Sequence, residues 1–342
     1  MKANTYAGGM SPALFDSRRP IGLTGLLLIL LLPLPCLSQD RIKFPAAAQA
    51  KILGFAPLWA ASKKGFFEKQ GLDVQLILVR GTPLNIQSLA AGSVYVASPT
   101  AEAVIGAKNR GLDIVMVGGL TSGLTHAIMG GKKYKTYDDL RGATLGSLGL
   151  TSGITFALKL VLQAKGLEYP RDYKLINIGG TPDLLAALSA GRIDAAPLAL
   201  PFNFVAEEMG FNLIGWYREV LPNYQFASLT VERLWAEKNR SHLVRFMKAM
   251  VQSVRWLYGD KEAAIDYLAK EMKLKLGHAR RGWEYYTTYR IWHPEADIDV
   301  AGLKAVLQIY AAQTQAKSPI PDPAQYIDQS YLKDALKELS GK

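Results

Sequence analysis

The sequence contains few of the side chains that most often carry covalent or metal chemistry. Its 342 residues include a single cysteine, Cys36, and four histidines. The histidines, His126, His242, His278 and His293, are far apart and lack metal-ligand spacing, so we expect no metal site. There is no Gly-rich phosphate loop and no Gly-x-Ser-x-Gly motif. We therefore expect no catalytic residue of these kinds and no cofactor.

Long apolar runs are also missing, apart from one at the N-terminus that is typical of an export signal. Basic residues precede the apolar stretch Ile21–Leu34, which is short for a membrane span. Two prolines then interrupt it, and Cys36-Leu37-Ser38 offers small residues at the positions that a signal peptidase reads. We expect cleavage after Ser38 and a periplasmic mature chain that starts at Gln39. Arg18-Arg19 leaves twin-arginine export open, and Cys36 leaves a lipoprotein open.

Cleavage at this point removes the only cysteine. The mature chain could then form no disulfide, thiol nucleophile or zinc–thiolate site. The formal charge of +11 would fall to about +9, and the remaining Lys and Arg are scattered. The densest clusters, Lys132–Lys135 and His278–Arg281, do not resemble nucleic-acid motifs. We expect a monomer with no nucleic-acid partner.

What the chain does have is a repeated stretch with an offset of 99 residues. Gly81-Thr82-Pro83 recurs as Gly180-Thr181-Pro182, and the offset holds without a gap to Ile114 and Leu213. Nine identities occur over these 34 aligned positions. Each copy predicts a strand, a turn, and then alternating helices and strands, which favours parallel strands joined by crossovers. One repetition is too few for a solenoid, so we expect two similar α/β lobes with a cleft between them.

The turns of the two copies predict the same local chemistry. Thr82 and Thr181 are expected as helix N-caps followed by proline, and Gly92 and Gly191 are expected at helix ends. Each Gly-Thr-Pro turn follows a strand, and ligands of open α/β sheets bind beyond the carboxyl ends of the strands. A helix N-terminus there suits an anion or a polar acceptor.

The remaining pattern predicts how the chain divides between the lobes. We expect lobe 1 at 39–124 and 225–342 and lobe 2 at 125–224. A first strand is predicted at Lys51–Phe55 and a helix from about Pro57 to Lys69. Tyr224–Thr230 is predicted to return to lobe 1, on which the C-terminal helices are expected to pack. The chain would cross twice, forming a two-segment hinge.

Three further motifs resemble one known family. The stretch Gly65–Val74 resembles the first-helix signature of solute-binding proteins for nitrate, sulfonate, taurine and thiamine-precursor ABC importers. Asp139–Ser147 resembles the start of their second lobe, and Leu188–Pro201 resembles their second-lobe strand and loop. The resemblance covers nearly all of the mature chain. It implies a type II periplasmic-binding fold of two Rossmann-like lobes that close on a ligand and deliver it to a membrane permease.

In this family the cleft is lined by the loops that follow the strands. The matching positions are Phe55–Trp59, Gly81–Thr82, Ser98–Thr100, Thr121–Ser122, Leu150–Gly153, Thr181–Pro182 and Leu198–Pro201. From these we select as candidate contacts, together with the adjacent Arg80, the residues Phe55, Trp59, Arg80, Gly81, Thr82, Pro99, Thr100, Thr121, Leu150, Thr151, Ser152, Gly153, Thr181, Leu198 and Leu200.

The candidates differ in the chemistry that they offer. Thr151-Ser152-Gly153 at a helix start can hold an oxyanion, and Arg80 can pair with a carboxylate or sulfonate. Phe55 and Trp59 can stack on an aromatic ligand. The apolar loops around Pro99 and Leu200 favour an organic ligand over a small hydrated anion.

These features together predict an exported solute-binding protein that captures a small anionic or polar organic ligand and performs no chemistry on it. Two alternatives stay open. One is an enzyme on the same fold, since the fold hosts pyrimidine-synthesising and menaquinone-pathway enzymes. The other is a sensor that reports its ligand to a membrane receptor.

Overall fold

The computed structural model describes residues 41–150, 152–315 and 319–341. The leader up to Ser38 and the candidate contact Thr151 lie outside these ranges. Within them, ten strands form two sheets: β1 Ile42–Ala48, β2 Leu72–Leu78, β3 Val96–Ala97, β4 Ile114–Ser122, β5 His126–Gly130, β6 Thr144–Ser147, β7 Lys174–Asn177, β8 Ala195–Ala199, β9 Asn212–Trp216 and β10 Gln225–Glu232.

Helices surround both sheets. They are α1 Ala56–Lys63, α2 Phe66–Lys69, α3 Thr82–Ala90, α4 Ala101–Asn109, α5 Gly153–Ala164, α6 Thr181–Ser189, α7 Phe202–Glu208, α8 Arg233–Lys238, α9 Arg240–Gly259, α10 Lys261–Glu271, α11 Leu276–Thr288, α12 Val300–Thr314 and α13 Ser330–Leu339. No helix in the described ranges is both long enough and apolar enough to span a membrane.

The two sheets have the same plan. Their strand orders are β2-β1-β3-β10-β4 and β7-β6-β8-β5-β9. β1 pairs in parallel with β2 and β3, and β6 pairs in parallel with β7 and β8. β10 and β5, the fourth strands, are antiparallel to both of their neighbours. Each fourth strand follows the last strand of the other sheet, so the chain crosses between the sheets twice.

The two crossing segments touch each other. The Gly123 amide, after β4, donates a hydrogen bond of 2.5 Å to the Tyr224 carbonyl, before β10. Gly123 has φ of 80°, a left-handed conformation that suits glycine. This is the two-segment crossing that the sequence predicts, and the α/β fold class is confirmed. The numerical lobe boundaries, 39–124 with 225–342 and 125–224, stay our proposal.

The repeat is confirmed in its elements. Helices α3 and α6 begin 99 residues apart, as do β3 and β8. Gly92 and Gly191 end the repeated helices with φ of 65° and 67°, as expected. The predicted caps are wrong: Thr82 and Thr181 are the first helical residues, because the preceding glycines occupy the cap positions.

Two predictions near the N-terminal end of the first sheet are also wrong. The predicted strand Lys51–Phe55 is a bend followed by a 3₁₀ turn at Leu53–Phe55, and β1 lies earlier in the chain. Pro45 and three alanines in β1 weaken its strand signal in the sequence. The predicted helix Pro57–Lys69 is divided at Gly65, whose φ of 72° separates α1 from α2.

The largest apolar core lies between the first sheet and the C-terminal helices. Phe44 of β1 stacks on Phe246 of α9 at 5.1 Å, and Phe246 stacks on Phe67 of α2 at 4.9 Å. Trp292 is fully buried and donates to the Leu53 carbonyl at 2.8 Å. The C-terminal helices thus pack on the first lobe as predicted, although α12 also contacts α5 of the second.

The backbone between α11 and α12 presses closely on β4. A Cβ added at Gly119 would meet the Asp297 carbonyl, which is backbone and cannot move aside easily. We expect Gly119→Ala to reduce the free energy of unfolding by roughly 1–3 kcal/mol through overpacking. Gly277→Ala is the control, because nothing lies within 4 Å of its Cβ position in α11. Urea denaturation measures the free energy of unfolding of both variants. Equal values for the two would contradict this close packing.

The buried histidine of β5 predicts an acid-sensitive fold. His126 is 5% exposed, its Nδ1 has no partner among the described residues, and burial lowers its pKa to about 4. Below pH 6.5 the unfolded chain takes up a proton that the folded chain refuses, so stability falls as the pH drops towards 4. The loss is up to about 3 kcal/mol. The free energy of unfolding, measured between pH 7.5 and 4.5, checks this. We expect His126→Phe to lose the stability decrease that His126 causes at low pH. The control His242→Gln, at a half-exposed position, should retain it.

Candidate functional site

Residues of both lobes line a cavity of about 600 Å³. Helices α3 and α4 line it from the first sheet, and the N-terminus of α5 lines it from the second. The start of β10 and the side of α12 complete the wall. The lining residues are Thr82, Pro83, Ile86, Gln87, Thr100, Glu102, Ala103, Gly106, Arg110, Ser152, Gly153, Ile154, Tyr224, Phe226 and Tyr310. We call it the Glu102 cavity.

A polar network fixes the loops on the first-sheet side. Thr82 Oγ1 donates to Gln49 Oε1 at 2.6 Å, and the Gln49 amide donates to Ser98 Oγ at 3.1 Å. Asn85, fully buried, accepts from the Ser98 amide at 3.2 Å and donates to the Gly81 carbonyl at 3.2 Å. The ends of β1, β2 and β3 are therefore held in one fixed arrangement, which preorganises the cavity wall.

On the second-sheet side Ser152 performs a structural task at the cavity edge. Its Oγ accepts from the Thr155 amide at 3.2 Å and so caps α5. The same hydroxyl donates to Thr155 Oγ1 at 3.0 Å. Helix α5 thereby directs its positive end at the cavity, and a ligand would have to share the hydroxyl with the cap.

The acid of the cavity is Glu102, in the first turn of α4. Its carboxylate lies directly against Gly153, where a Cβ would collide with it. Burial raises the pKa of Glu102. Burial and the nearby Glu102 charge also raise the pKa of Tyr224. The site thus holds a desolvated carboxyl group.

Sequence reasoning missed Glu102. An acid in the first turn of a helix is usually interpreted as a complement to the helix dipole. The available signal was its position two residues after Thr100, at the carboxyl end of a strand.

The outer end of the cavity carries a base. Arg110, the residue after α4, folds back along the helix so that its Nη1 would be 3.3 Å from a Cβ at Gly106. The Tyr310 hydroxyl of α12 lies equally close to that point. Gly106 therefore leaves room in which a guanidinium and a phenol face the cavity.

Four predicted contacts lie in the cavity wall: Thr82, Thr100, Ser152 and Gly153. Apart from Thr151, which lies outside the described ranges, the others lie elsewhere in the structure. Arg80 and Gly81 are exposed, Leu150 is 48% exposed and Thr181 is half-buried, all outside the cavity lining.

The remaining predicted contacts pack inside the protein. Phe55, Leu198 and Leu200 are at most 2% exposed and belong to apolar cores. Buried Thr121 donates to the Gly54 carbonyl at 2.5 Å, and the buried Pro99 carbonyl accepts from the Ser228 amide. Trp59 donates to the Ala50 carbonyl at 2.9 Å. Phe55 is packed in this structure, and its stacking on an aromatic ligand stays a prediction.

A second cavity, of about 370 Å³, lies between α7 and the corner that joins α10 to α11. We call it the Phe202 cavity. Ion pairs join its two sides: Glu208 meets Lys275 at 2.7 Å, and Glu207 meets Arg281 at 2.5 Å. Glu208 Oε1 also forms a hydrogen bond of 2.7 Å with Nε2 of the buried His278. Hydrogen bonds from Lys275 and His278 lower the pKa of Glu208. These pairs connect a second-sheet helix to a C-terminal helix of the first lobe.

Nothing in the described ranges groups three or more His, Cys, Asp or Glu side chains as a metal site would. Among its described lining residues, the Glu102 cavity also has no His or Cys. Its chemistry is that of one carboxyl group, one guanidinium, several hydroxyls and an apolar wall. Such a set can bind an organic molecule and orient it by its polar ends.

Sequence comparison finds relatives that are named as binding proteins. A Formylaminopyrimidine-binding protein of Halalkalibacterium halodurans is 26% identical over 219 residues, 62% of this chain. The chain covers 64% of that relative, just under two thirds of its length.

Solved structures share the fold. The periplasmic aliphatic sulphonate binding protein SsuA from Escherichia coli superposes with a TM-score of 0.66 at 19% identity, covering 85% of this chain and 92% of SsuA. The desulfurization enzyme DSZB superposes with a TM-score of 0.67 at 15% identity, covering 87% of this chain and 100% of the enzyme. One fold therefore serves a binding protein and an enzyme.

The sequence profile of a family described as NMT1/THI5 like matches residues 53–264, well over half of the chain. This match includes α3, α4 and α5, whose N-termini form the Glu102 cavity, and both crossings between the sheets. The chain belongs to the NMT1/THI5-like family.

Proposed function

We propose that this chain is an exported solute-binding protein that captures a small organic solute between its two lobes and delivers it to an ABC importer. The observation that carries the proposal is the Glu102 cavity, which is lined by residues of both lobes beside a double crossing. A solute in this place touches both lobes at once. Its contacts favour the closed arrangement by differential affinity, and no chemical step is needed.

The wall of the cavity narrows the class of solute. Ile86, Ile154 and Phe226 present apolar surface, which disfavours a small hydrated anion such as nitrate. Arg80, which we expected to pair with an anion, is exposed and outside the wall. The relatives are named for a sulphonate and for a formylaminopyrimidine. Both are organic molecules with polar groups, and we extend only that shared chemistry to this chain.

An enzyme on the same fold is the second candidate, and the likeness to DSZB favours it. Hydrolysis or group transfer needs a nucleophile or an acid–base pair. Glu102 is the one carboxyl group among the described lining residues, with no His or Cys beside it. We therefore rank binding above catalysis.

Thermal unfolding of the mature chain, purified from the periplasm, tests the proposal. The panel contains aliphatic and aryl sulphonates, carboxylates, amines and pyrimidines. A true solute at about 100 times its Kd should stabilise the fold by about 2.7 kcal/mol. Recovery of the unchanged compound, measured by mass spectrometry, supports binding, whereas a product would establish the enzyme.

The same screen locates the site through Gly153→Ala. The new methyl group displaces the Glu102 carboxylate, so we expect at least tenfold weaker binding of the hit, about 1.4 kcal/mol. Gly277→Ala, whose Cβ position is open, should bind like the unmodified protein. A hit that both variants bind equally well would place the solute outside the Glu102 cavity.

Export makes a separate prediction. In a Gram-negative host, the intact mass of the periplasmic protein should correspond to a chain that begins at Gln39, after cleavage at Ser38. A lipid-modified chain that begins at Cys36 would indicate a lipoprotein instead. Full-length protein confined to the cytoplasm would contradict export.

A further inference from the structure

The two charged residues of the Glu102 cavity stand on one helix. Glu102 and Arg110 are eight residues apart on α4 and its C-terminal end, and both line the cavity. Gly106, midway between them, lines it too. Positions four apart fall on the same helix face. The cavity therefore runs along this face, with an acid near its inner end and a base near its outer end.

At the inner end of the cavity, the carboxyl group of Glu102 is partly shielded from water. The Glu102 carboxyl faces Gly153 and lies near Tyr224, which is 3% exposed. No salt bridge from another described residue reaches this carboxylate. A role as dipole complement needs no such burial, because acids in a first turn act equally well from the surface. A donor or cation on the solute would satisfy this group.

The outer end holds an exposed cation. Arg110 Nη1 lies over Gly106 rather than over the neighbouring Asp113, which instead pairs with Lys108 and Arg233. Gly106 is four residues from Glu102, a rise of about 6 Å along the helix. The guanidinium and the carboxyl can thus address two ends of one small molecule.

Apolar surface separates the two ends. Ile86 and Ile154 line the cavity from opposite lobes, and Phe226 and Tyr310 supply rings. A flat or aliphatic body fits between them, and aromatic side chains favour stacking on a ring.

We propose that the solute is bipolar, with a hydrogen-bond donor or cation for Glu102, an anionic group for Arg110, and an apolar body that separates them by roughly 6–8 Å. This inference rests on the proposed function and names the chemical class of its solute. Glu102 and Arg110 then act as specificity-determining residues at opposite ends.

The test compares one bipolar probe with two matched probes that carry a single charge. The bipolar probe is 4-(aminomethyl)benzoate, and the others are 4-methylbenzoate and 4-methylbenzylamine. Titration calorimetry measures Kd for the unmodified mature chain, Glu102→Gln and Arg110→Gln. Lys108→Gln is the matched control, because Lys108 is on the same helix but pairs with Asp113 outside the cavity.

We expect the bipolar probe to bind at least tenfold more tightly than either single-charge probe. Glu102→Gln should weaken the bipolar probe and the amine but not 4-methylbenzoate, and Arg110→Gln should weaken the bipolar probe and the carboxylate but not the amine. Lys108→Gln should change none of them. Binding of the amine should also weaken as the pH falls and Glu102 takes up a proton, a dependence that Glu102→Gln abolishes.

Equal affinity for the three probes, or variants that weaken all of them alike, would overturn the inference. So would failure of all three probes where the broad panel yields a solute with one polar end, and the proposed function would then survive. If no compound of either panel binds, both the function and its solute class fail.

Discussion

The exchange of one strand between the sheets is the constraint on which the rest of the structure depends. β5 completes the second sheet but follows β4 of the first, and β10 completes the first sheet but follows β9 of the second. The first sheet lacks its fourth strand until the chain has passed through all five strands of the second. The two crossings must therefore lie side by side, as the Gly123–Tyr224 hydrogen bond shows. The strand ends beside this crossing then face one another, which creates the cleft.

Both apolar and polar contacts bridge the two lobes: Leu200 and Phe204 of the second lobe pack in the apolar core of the first, and α12 contacts α5. The ion pairs that α7 forms with Lys275 and with Arg281 of α11 involve exposed or partly exposed groups, and such pairs contribute about 0–1 kcal/mol each. Moving a two-state equilibrium from almost all open to almost all closed requires about 5.5 kcal/mol. Weak pairs of this size can guide the lobes together without fixing them. A solute in the Glu102 cavity that contacts both lobes would add to these contacts in favour of the closed arrangement.

Much of the fold could be predicted from the sequence because the repeat records it twice. The offset of 99 places α6 and β8 from α3 and β3, and the second crossing follows from the alternating pattern after Tyr224. The prediction failed where local signals were ambiguous. β1 contains Pro45 and three alanines, and Gly65 interrupts a helical pattern with a left-handed residue. Pairing with neighbouring strands makes β1 a strand despite its weak local signal. The φ angle of Gly65 alone divides the predicted helix in two.

The site was harder to predict because caps and ligand contacts use the same residue types. Ser152 lines the cavity and caps α5 with one hydroxyl, so the sequence cannot tell which task selected it. Glu102 and Arg110 were missed for a different reason. What distinguishes them is the space opposite, which Gly153 and Gly106 leave open, and the Tyr310 ring that arrives from about two hundred residues further along the chain. A charged side chain becomes a binding group only when the facing surface keeps water out and leaves room for a solute, and that property belongs to the assembled lobes.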